Sequence, residues 1–217
     1  IIVVYLRRKK LPVRRYLDIL AVGLMLALVF GRLGCFFNGC CFGRPTDSRV
    51  SVRFPYGSLA YQSQVFPDAA RHREKPYLYL PANFFGYIDD ANQWVWVDDL
   101  KPLDKLSPQE KFEVAEGGPY RCLAVVPTQI YESLSALVGC ILLYLHRRKG
   151  IQLQKRGGTV PFFFRSGVTF GLLFIVYGTM RFFIEFFRDD NPIGAFGLTI
   201  SQNLSIVLFI ASVLLIV

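Results

Sequence analysis

Four long apolar runs divide the chain, and the polar positions inside them are few and clustered. Tyr16 to Phe37 is interrupted by Asp18 and Arg32, near its two ends. Val126 to Leu145 carries Thr128, Gln129, Glu132 and two serines toward its start. Ser166 to Phe187 and Thr199 to Val217 are two further runs. Each is close to the ~20 residues with which a helix crosses ~30 Å of hydrocarbon. Ile1 to Leu6 reads as the tail of a fifth such helix. The pattern predicts an all-α polytopic membrane protein with four complete transmembrane helices and the end of a fifth.

The segment between the first two runs has a different texture. Asn92 to Asp98 alternates in the manner of a strand, and Asp89-Asp90-Ala91-Asn92 before it reads as a turn. Ser107-Pro108-Gln109-Glu110 has the form of a helix start, with Pro at the first helical position and an acid in the first turn. Connections of this length inside compact proteins seldom lack structure of their own. The expectation is a small α+β external domain inserted between helices. Residues 1–45 and 127–217 then form the membrane core and 46–126 the head.

Composition agrees and adds an orientation. Of 217 residues 53% are hydrophobic and 20 are Phe, which excludes a disordered chain. The formal charge is nonetheless +9, and it is segregated. Residues 7–15 hold six basic side chains and no acid, and residues 146–165 hold six more and no acid. The 46–126 segment is slightly acidic, with nine basic and eleven acidic residues. Basic clusters mark cytoplasmic loops. The two clusters lie at alternate ends of successive runs, so one topology satisfies every helix: 7–15 and 146–165 cytoplasmic and 46–126 outside. Short juxtamembrane clusters without interleaved groove-reading elements do not point to nucleic acid.

Charged residues inside membrane helices need a partner or a function. Tyr177, Arg181, Glu185 and Arg188 fall within an arc of roughly 80° on one helix, at ~100° per residue, with Arg181 and Glu185 as i,i+4 partners. A structural ion pair between helices and an anion site with a tuned acid or base are the competing readings. A glue pair does not call for two arginines and a tyrosine, which favours the second. A second cluster, Gly31-Arg32-Leu33-Gly34-Cys35-Phe36-Phe37-Asn38-Gly39-Cys40-Cys41-Phe42-Gly43-Arg44, sits where the first complete helix ends. Its glycines permit close backbone approach, and arginine suits bidentate phosphate binding. Gly39 and Gly43 read equally well as a helix-packing motif. A third cluster, Pro127-Thr128-Gln129-Ile130-Tyr131-Glu132, opens the next helix, with Thr128 as its cap. Gln202 opens the last helix in a similar way. All of these lie toward the same ends of their helices, which predicts one lipid-accessible site near the outer leaflet, roofed by the head.

Cys35, Cys40 and Cys41 lie close together in the sequence, Cys122 is in the head and Cys140 in a helix. Outside a bacterial membrane a disulfide among Cys35, Cys40, Cys41 and Cys122, or plain packing, is the leading expectation. Redox chemistry comes next and metal binding last, since the spacing is not that of a zinc site.

The three clusters together resemble the prolipoprotein diacylglyceryl transferase family. The resemblance rests on Gly31-Arg32-Leu33-Gly34-x-Phe36-x-Asn38-Gly39-x-x-x-Gly43-Arg44, on Pro127-Thr128-Gln129-Ile130-Tyr131-Glu132, on Tyr177-Gly178-x-x-Arg181-x-x-x-Glu185 and on Gln202. It covers residues 16–47 and 126–217, and the head only by position. It implies transfer of a diacylglyceryl group from phosphatidylglycerol to the lipobox cysteine thiol of a prolipoprotein, with release of glycerol phosphate. It implies no metal and no cofactor, and membrane lipids and the prolipoprotein signal peptide as partners. Arg32 and Arg181 become phosphate ligands, with Arg44, Gly34, Gly39 and Gly43 around the phospholipid. Glu185 orients Arg181 or moves a proton, Tyr177 and Asn38 bond the headgroup, and Gln129, Tyr131, Glu132, Arg188 and Gln202 support. Cys35 and Cys40 depart from the family, which usually has Asn and Glu there. A His-Gly-Gly motif of the family would fall before residue 1, so the chain is expected to be truncated at its N-terminus or a divergent member. The alternatives carried beside this reading are a membrane thiol-redox protein using Cys35, Cys40 and Cys41, and a non-catalytic lipid-binding homologue.

Overall fold

The computed structural model describes residues 2–88, 93–96, 99–157 and 159–216. In chain order its elements are α1 (Ile2–Arg8), α2 (Val13–Asn38), α3 (Leu59–Val65), β1 (Gly86–Ile88), β2 (Trp94–Trp96), α4 (Pro108–Val114), α5 (Thr128–Lys155), α6 (Val168–Ile184) and α7 (Ile200–Ile216). They form two compact units. Residues 1–34, 129–186 and 194–217 make the first, and 35–128 with 187–193 the second. Residues 35–45 and 187–193 thus group with the segment expected as a head. The reason is local: Gly43 bridges Arg188, and Pro45 and Val52 bridge Val125.

Three helical segments of the first unit are long and apolar enough to cross a membrane: Val13–Asn38, Thr128–Lys155 and Val168–Phe187. The apolar helix Ile200–Leu214 is shorter. Burial runs opposite to that of a water-soluble domain. Phe30, Leu142, Phe183 and Leu204 are exposed, while Gln129, Glu132, Glu185 and Gln202 are buried. Apolar outward and polar inward is the arrangement that hydrocarbon solvent imposes. α5 also outruns the apolar stretch that announced it. It continues past Leu145 through the basic cluster to Lys155, because Arg, Lys, Gln and Leu are all good helix formers.

Inside this unit α2, α5 and α6 pack through Ala21, Met25, Cys140, Leu143 and Leu173. The Ser133 hydroxyl donates to the Val29 carbonyl at 3.1 Å. α6 and α7 approach closely at Gly178, where a β-carbon would lie 3.1 Å from the Ser205 carbonyl oxygen. Asp18 caps α6 from a neighbouring helix. Its carboxylate accepts from the backbone N–H of Gly167 at 2.8 Å and of Phe170 at 3.0 Å. Those donors have no partner within their own helix, and the helix dipole favours an anion there. Asp18→Ala is expected to destabilise the protein by about 1–2 kcal/mol, read as a lowered unfolding temperature in detergent. An unchanged temperature would refute the capping role.

The second unit is α+β. Phe42, Phe54, Ala60, Tyr61, Val65, Leu100, Cys122 and Val125 form its main core. β1 and β2 pair antiparallel, with Gly86 opposite Trp96 and Ile88 opposite Trp94. The strand expected over Asn92–Asp98 is described for Trp94–Trp96, and the expected turn at Asp89–Asn92 lies outside the described residues. α4 begins as its sequence predicts, with a full capping box in which Ser107 and Glu110 satisfy each other's backbone N–H.

Glu110 does more than cap. It accepts from Lys101 at 2.8 Å and from Asn83 at 2.7 Å. Burial alone would raise its pKa, but the Lys101 ammonium, the Ser107 N–H and Asn83 outweigh burial and hold it down to about 2. A depressed folded value means that the stabilisation is complete above the ordinary carboxylate range and is lost as pH falls toward about 2. Trp94 and Trp96 both belong to this unit and report on it. Their fluorescence-monitored unfolding temperature is expected to fall between about pH 4.5 and 2 in the wild type. Glu110→Gln should remove most of that slope and lower stability at neutral pH by on the order of 2–3 kcal/mol. Equal slopes in both proteins would overturn this account.

Candidate functional site

The first unit gathers its buried charge at one place. Arg32 lies in the last two turns of α2, Glu132 at the start of α5, Arg181 in the last turn of α6 and Ser201 in the first turn of α7. Arg32 Nε meets Glu132 Oε2 at 2.7 Å, and Arg181 Nη1 meets Glu132 Oε1 at 2.5 Å. One carboxylate therefore joins two guanidiniums, one on each oxygen. Arg181 Nη2 then reaches Glu185 at 3.1 Å and donates to the Ser201 hydroxyl at 3.0 Å. The side chains of Arg32, Glu132, Arg181 and Glu185 are 15%, 5%, 11% and 0% exposed. Two cations and two anions make the set electroneutral, the condition under which buried charges are tolerated.

Tyr177 shares a cavity with Arg32, Glu132 and Arg181, walled by Leu28, Met180 and Ile184. Its free volume is about 10 Å³, room for about one water molecule. The Glu132 carboxylate fills the space between the two guanidiniums. Carboxylate and phosphate make the same paired hydrogen bonds to arginine, so Glu132 already occupies an oxyanion position.

Sequence reasoning gave Glu132 only a supporting place. Its signal was available, since it is the one acid in the Val126–Leu145 run, but only the fold sets it between Arg32 and Arg181. Ser201 was missed, and nothing in a lone serine at a helix start announces it. Arg188 does not share the stripe of Tyr177, Arg181 and Glu185. The α-helix ends at Ile184 and tightens into a 3₁₀ turn over Glu185–Phe187, which breaks the 100° register before Arg188 is reached. Arg188 instead pairs in the second unit with Asp190, at 2.9 and 2.6 Å.

The supporting residues divide. Gln202 is a capping residue: its side chain accepts from the Thr199 N–H at 3.0 Å, and its own N–H donates to the Thr199 hydroxyl at 3.3 Å. Gln129 is fully buried and Tyr131 is exposed. Thr128 is not the cap expected for α5. It is the first helical residue, and its hydroxyl donates to the Cys41 carbonyl at 2.7 Å.

Asn38, Gly39, Gly43 and Arg44 belong to the second unit. Gly39 takes a positive φ of 67° where α2 stops. Gly43 lies so close to Val126 and Phe187 that a β-carbon would sit 2.6–2.7 Å from their carbonyl oxygens. Gly34 is different, because nothing crowds its α-carbon. The glycine cradle expected for a phospholipid is thus not uniform, and two of its members are explained by backbone packing. Asn38 and Arg44 are exposed, and the Arg44 backbone N–H donates to the Phe187 carbonyl at 2.9 Å.

None of the five cysteines is in a disulfide. Cys122 is buried against the Gln64 side chain, at 3.5 Å. The sulfurs of Cys35, Cys40 and Cys41 lie within 4.8 Å of one another, which makes them the described residues best placed to hold a thiophilic cation.

Comparison with known proteins bears on this arrangement. The sequence profile described as prolipoprotein diacylglyceryl transferase matches residues 1–217. A phosphatidylglycerol–prolipoprotein diacylglyceryl transferase of Rhodopirellula baltica is 27% identical over 95% of this chain and 51% of its own length. A second enzyme of that name from Clostridium perfringens is 26% identical over 96% of this chain and 53% of its own length. One from Streptococcus uberis is 28% identical over the whole of this chain and 57% of its own length. The chain spans about half the length of the curated relatives it matches. No solved structure matches it. The match runs from end to end, through the helices that carry Arg32, Glu132, Arg181 and Glu185, and by it the chain belongs to the prolipoprotein diacylglyceryl transferase family.

Proposed function

We propose that the protein transfers the diacylglyceryl group of phosphatidylglycerol to the thiol of a lipobox cysteine in a prolipoprotein, releasing glycerol phosphate. The observation that carries this is the convergence of Arg32 and Arg181 on one carboxylate inside an otherwise apolar helical unit. In the reaction the cysteine sulfur bonds to the glyceryl carbon and the carbon–oxygen bond to phosphate breaks. The electron pair stays on oxygen, so a phosphodiester with one negative charge becomes a phosphate monoester with a second one developing. The thiol proton is taken up by that monoester or by solvent. Guanidiniums already fixed in place stabilise the developing charge without reorganising. Arg32 and Arg181 take that role once the headgroup displaces Glu132. Glu185 and Ser201 hold Arg181 while this happens, and Tyr177 offers its hydroxyl to the headgroup from the cavity wall. The nucleophile is the substrate's own sulfur, and no cofactor enters.

We read α7 as a fourth membrane span and α1 as the end of a fifth. The basic clusters at 7–15 and 146–165 then face the cytoplasm of a bacterial cell and 46–126 the periplasm. Membrane-impermeant labelling of cysteines placed at Ser48 and Arg148 tests this, since only the first should react in intact spheroplasts.

The function is tested by complementation. In cells depleted of their own transferase, the complete gene should restore lipidation of a model prolipoprotein, followed by its gel shift and by incorporation of labelled acyl chains. Absence of lipidation from a well-expressed protein would sink the proposal. Cys35, Cys40 and Cys41 should all be replaceable by Ser with less than a threefold loss of lipidation. A large loss would return the cysteines to the chemistry.

A further inference from the structure

A concentration of basic charge lies at the opposite helix ends of the first unit from Arg32 and Arg181. There the start of α2, the end of α5 and the segment leading into α6 enclose a cleft of about 570 Å³, within the ~300–1,000 Å³ usual for small-molecule sites. Arg15, Arg147, Lys155 and Arg165 line it. Among the described residues none of these four is in an ion pair. The one carboxylate in the lining is Asp18, which is buried and bonded to the backbone N–H groups of Gly167 and Phe170. It bonds the helix end and also interacts with the Arg147 charge, which leaves Arg15, Lys155 and Arg165 without a carboxylate partner among the described residues.

The His146 ring is held in place as well. His146 Nε2 lies 2.9 Å from the Phe163 carbonyl, which can only accept, so Nε2 carries a proton. Nδ1 faces the Thr169 hydroxyl at 3.1 Å, and the ring stacks on Phe164 at 4.9 Å. Arg15, Arg147, Lys155 and Arg165 thus put four cations in the lining against one carboxylate. Topology signalling needs only basic residues somewhere in a cytoplasmic segment. It does not require cations from three separate segments, α2, α5 and the turn before α6, to face one cleft.

We infer that this cleft binds the phosphate group of an anionic ligand, either a phospholipid headgroup or a free phosphate compound. Three of the cations, Arg15, Arg147 and Arg165, carry the planar fork that pairs with phosphate oxygens, and they come from α2, α5 and the segment before α6. The apolar part of the lining, which includes Ile19, Ile151 and Phe164, suits an acyl chain leaving the headgroup. The inference needs only the cleft and its cations, and stands apart from the transfer reaction.

Native mass spectrometry of the purified full-length protein in neutral detergent tests it, with dioleoyl phosphatidic acid and dioleoyl phosphatidylcholine titrated in turn. The wild type should hold phosphatidic acid at least about tenfold more tightly than phosphatidylcholine, as expected for loss of charge-assisted contacts. Arg147→Gln/Arg165→Gln should lose that preference at one bound lipid, while Arg181→Gln should keep it. Arg15→Gln/Lys155→Gln, on exposed side chains, should weaken the same lipid and guards against a folding failure of the first pair. Inorganic phosphate is then added as competitor. Displacement of the lipid identifies a free phosphate compound as the ligand, and persistence of the lipid identifies a headgroup. Both outcomes support the site. Equal binding of the two lipids, no change in either double variant, or loss of the preference in Arg181→Gln would overturn it.

Discussion

Arg181→Ala is expected to reduce lipidation by about 100- to 1,000-fold, the loss typical when one preorganised partner of a developing oxyanion is removed. The expectation rests on position. Arg181 is the residue at which the cluster branches, touching Glu132, Glu185 and Ser201. Arg181→Lys should recover only a small part of the activity, because an ammonium is a point charge and cannot span two oxygens as the guanidinium fork does. A purely structural role would behave differently. In that case the loss of activity would track the loss of folded protein, and Lys, which preserves the charge, would restore both together. Lipidation measured at matched levels of folded protein separates the two. Activity of Arg181→Ala within tenfold of wild type would remove Arg181 from the site.

Glu132→Gln should act mainly on stability. Removing one partner of a buried charge set leaves the others uncompensated, at a cost of about 3–5 kcal/mol. Here the loss leaves Arg32 and Arg181 facing each other across the same gap. If the carboxylate holds the place of the substrate phosphate, a phosphate should substitute for it. Phosphatidylglycerol added in detergent should therefore raise the unfolding temperature of Glu132→Gln by more than it raises that of the wild type, where the lipid must first displace the glutamate. Equal shifts in the two proteins, or wild-type stability without lipid, would show that Glu132 is not an occupant of the anion position.

Much of the helical unit was legible in the sequence because hydrocarbon permits few solutions. An apolar run of the right length becomes a helix, and a charge within it has to be buried against another. Arg32, Glu132, Arg181 and Glu185 were all visible as exceptions to apolar runs, and the structure brings these four together. Their pairing was not legible. The i,i+4 relation of Arg181 and Glu185 is written along one helix, whereas the contacts of Glu132 with Arg32 and Arg181 depend on how three helices pack. The expected stripe failed at Arg188 for a local reason, the 3₁₀ turn at Glu185–Phe187, which no pattern of apolar positions announces. In the second unit the capping box at Ser107 was readable from four residues. The core around Tyr61 and Gln64 was not, because its members are scattered along the chain between Phe42 and Val125. Gln202 shows the converse: a polar residue in a family motif is engaged in capping its own helix.

The electroneutral cluster has a consequence for the order in which the protein is made. On the proposed topology α2 enters the membrane carrying Arg32, and the carboxylate that neutralises it is encoded about a hundred residues later, beyond the 35–128 segment of the second unit. At the ~5–20 residues per second of bacterial and eukaryotic synthesis, the nascent helix waits roughly 5–20 s with its arginine unpaired. Arg32 lies six residues from the end of α2 at Asn38, close enough for a long side chain to reach the headgroup layer in the meantime. An arginine placed at the middle of the same helix would have no such refuge, so its position near the helix end suits the interval before its partner emerges as much as the finished site.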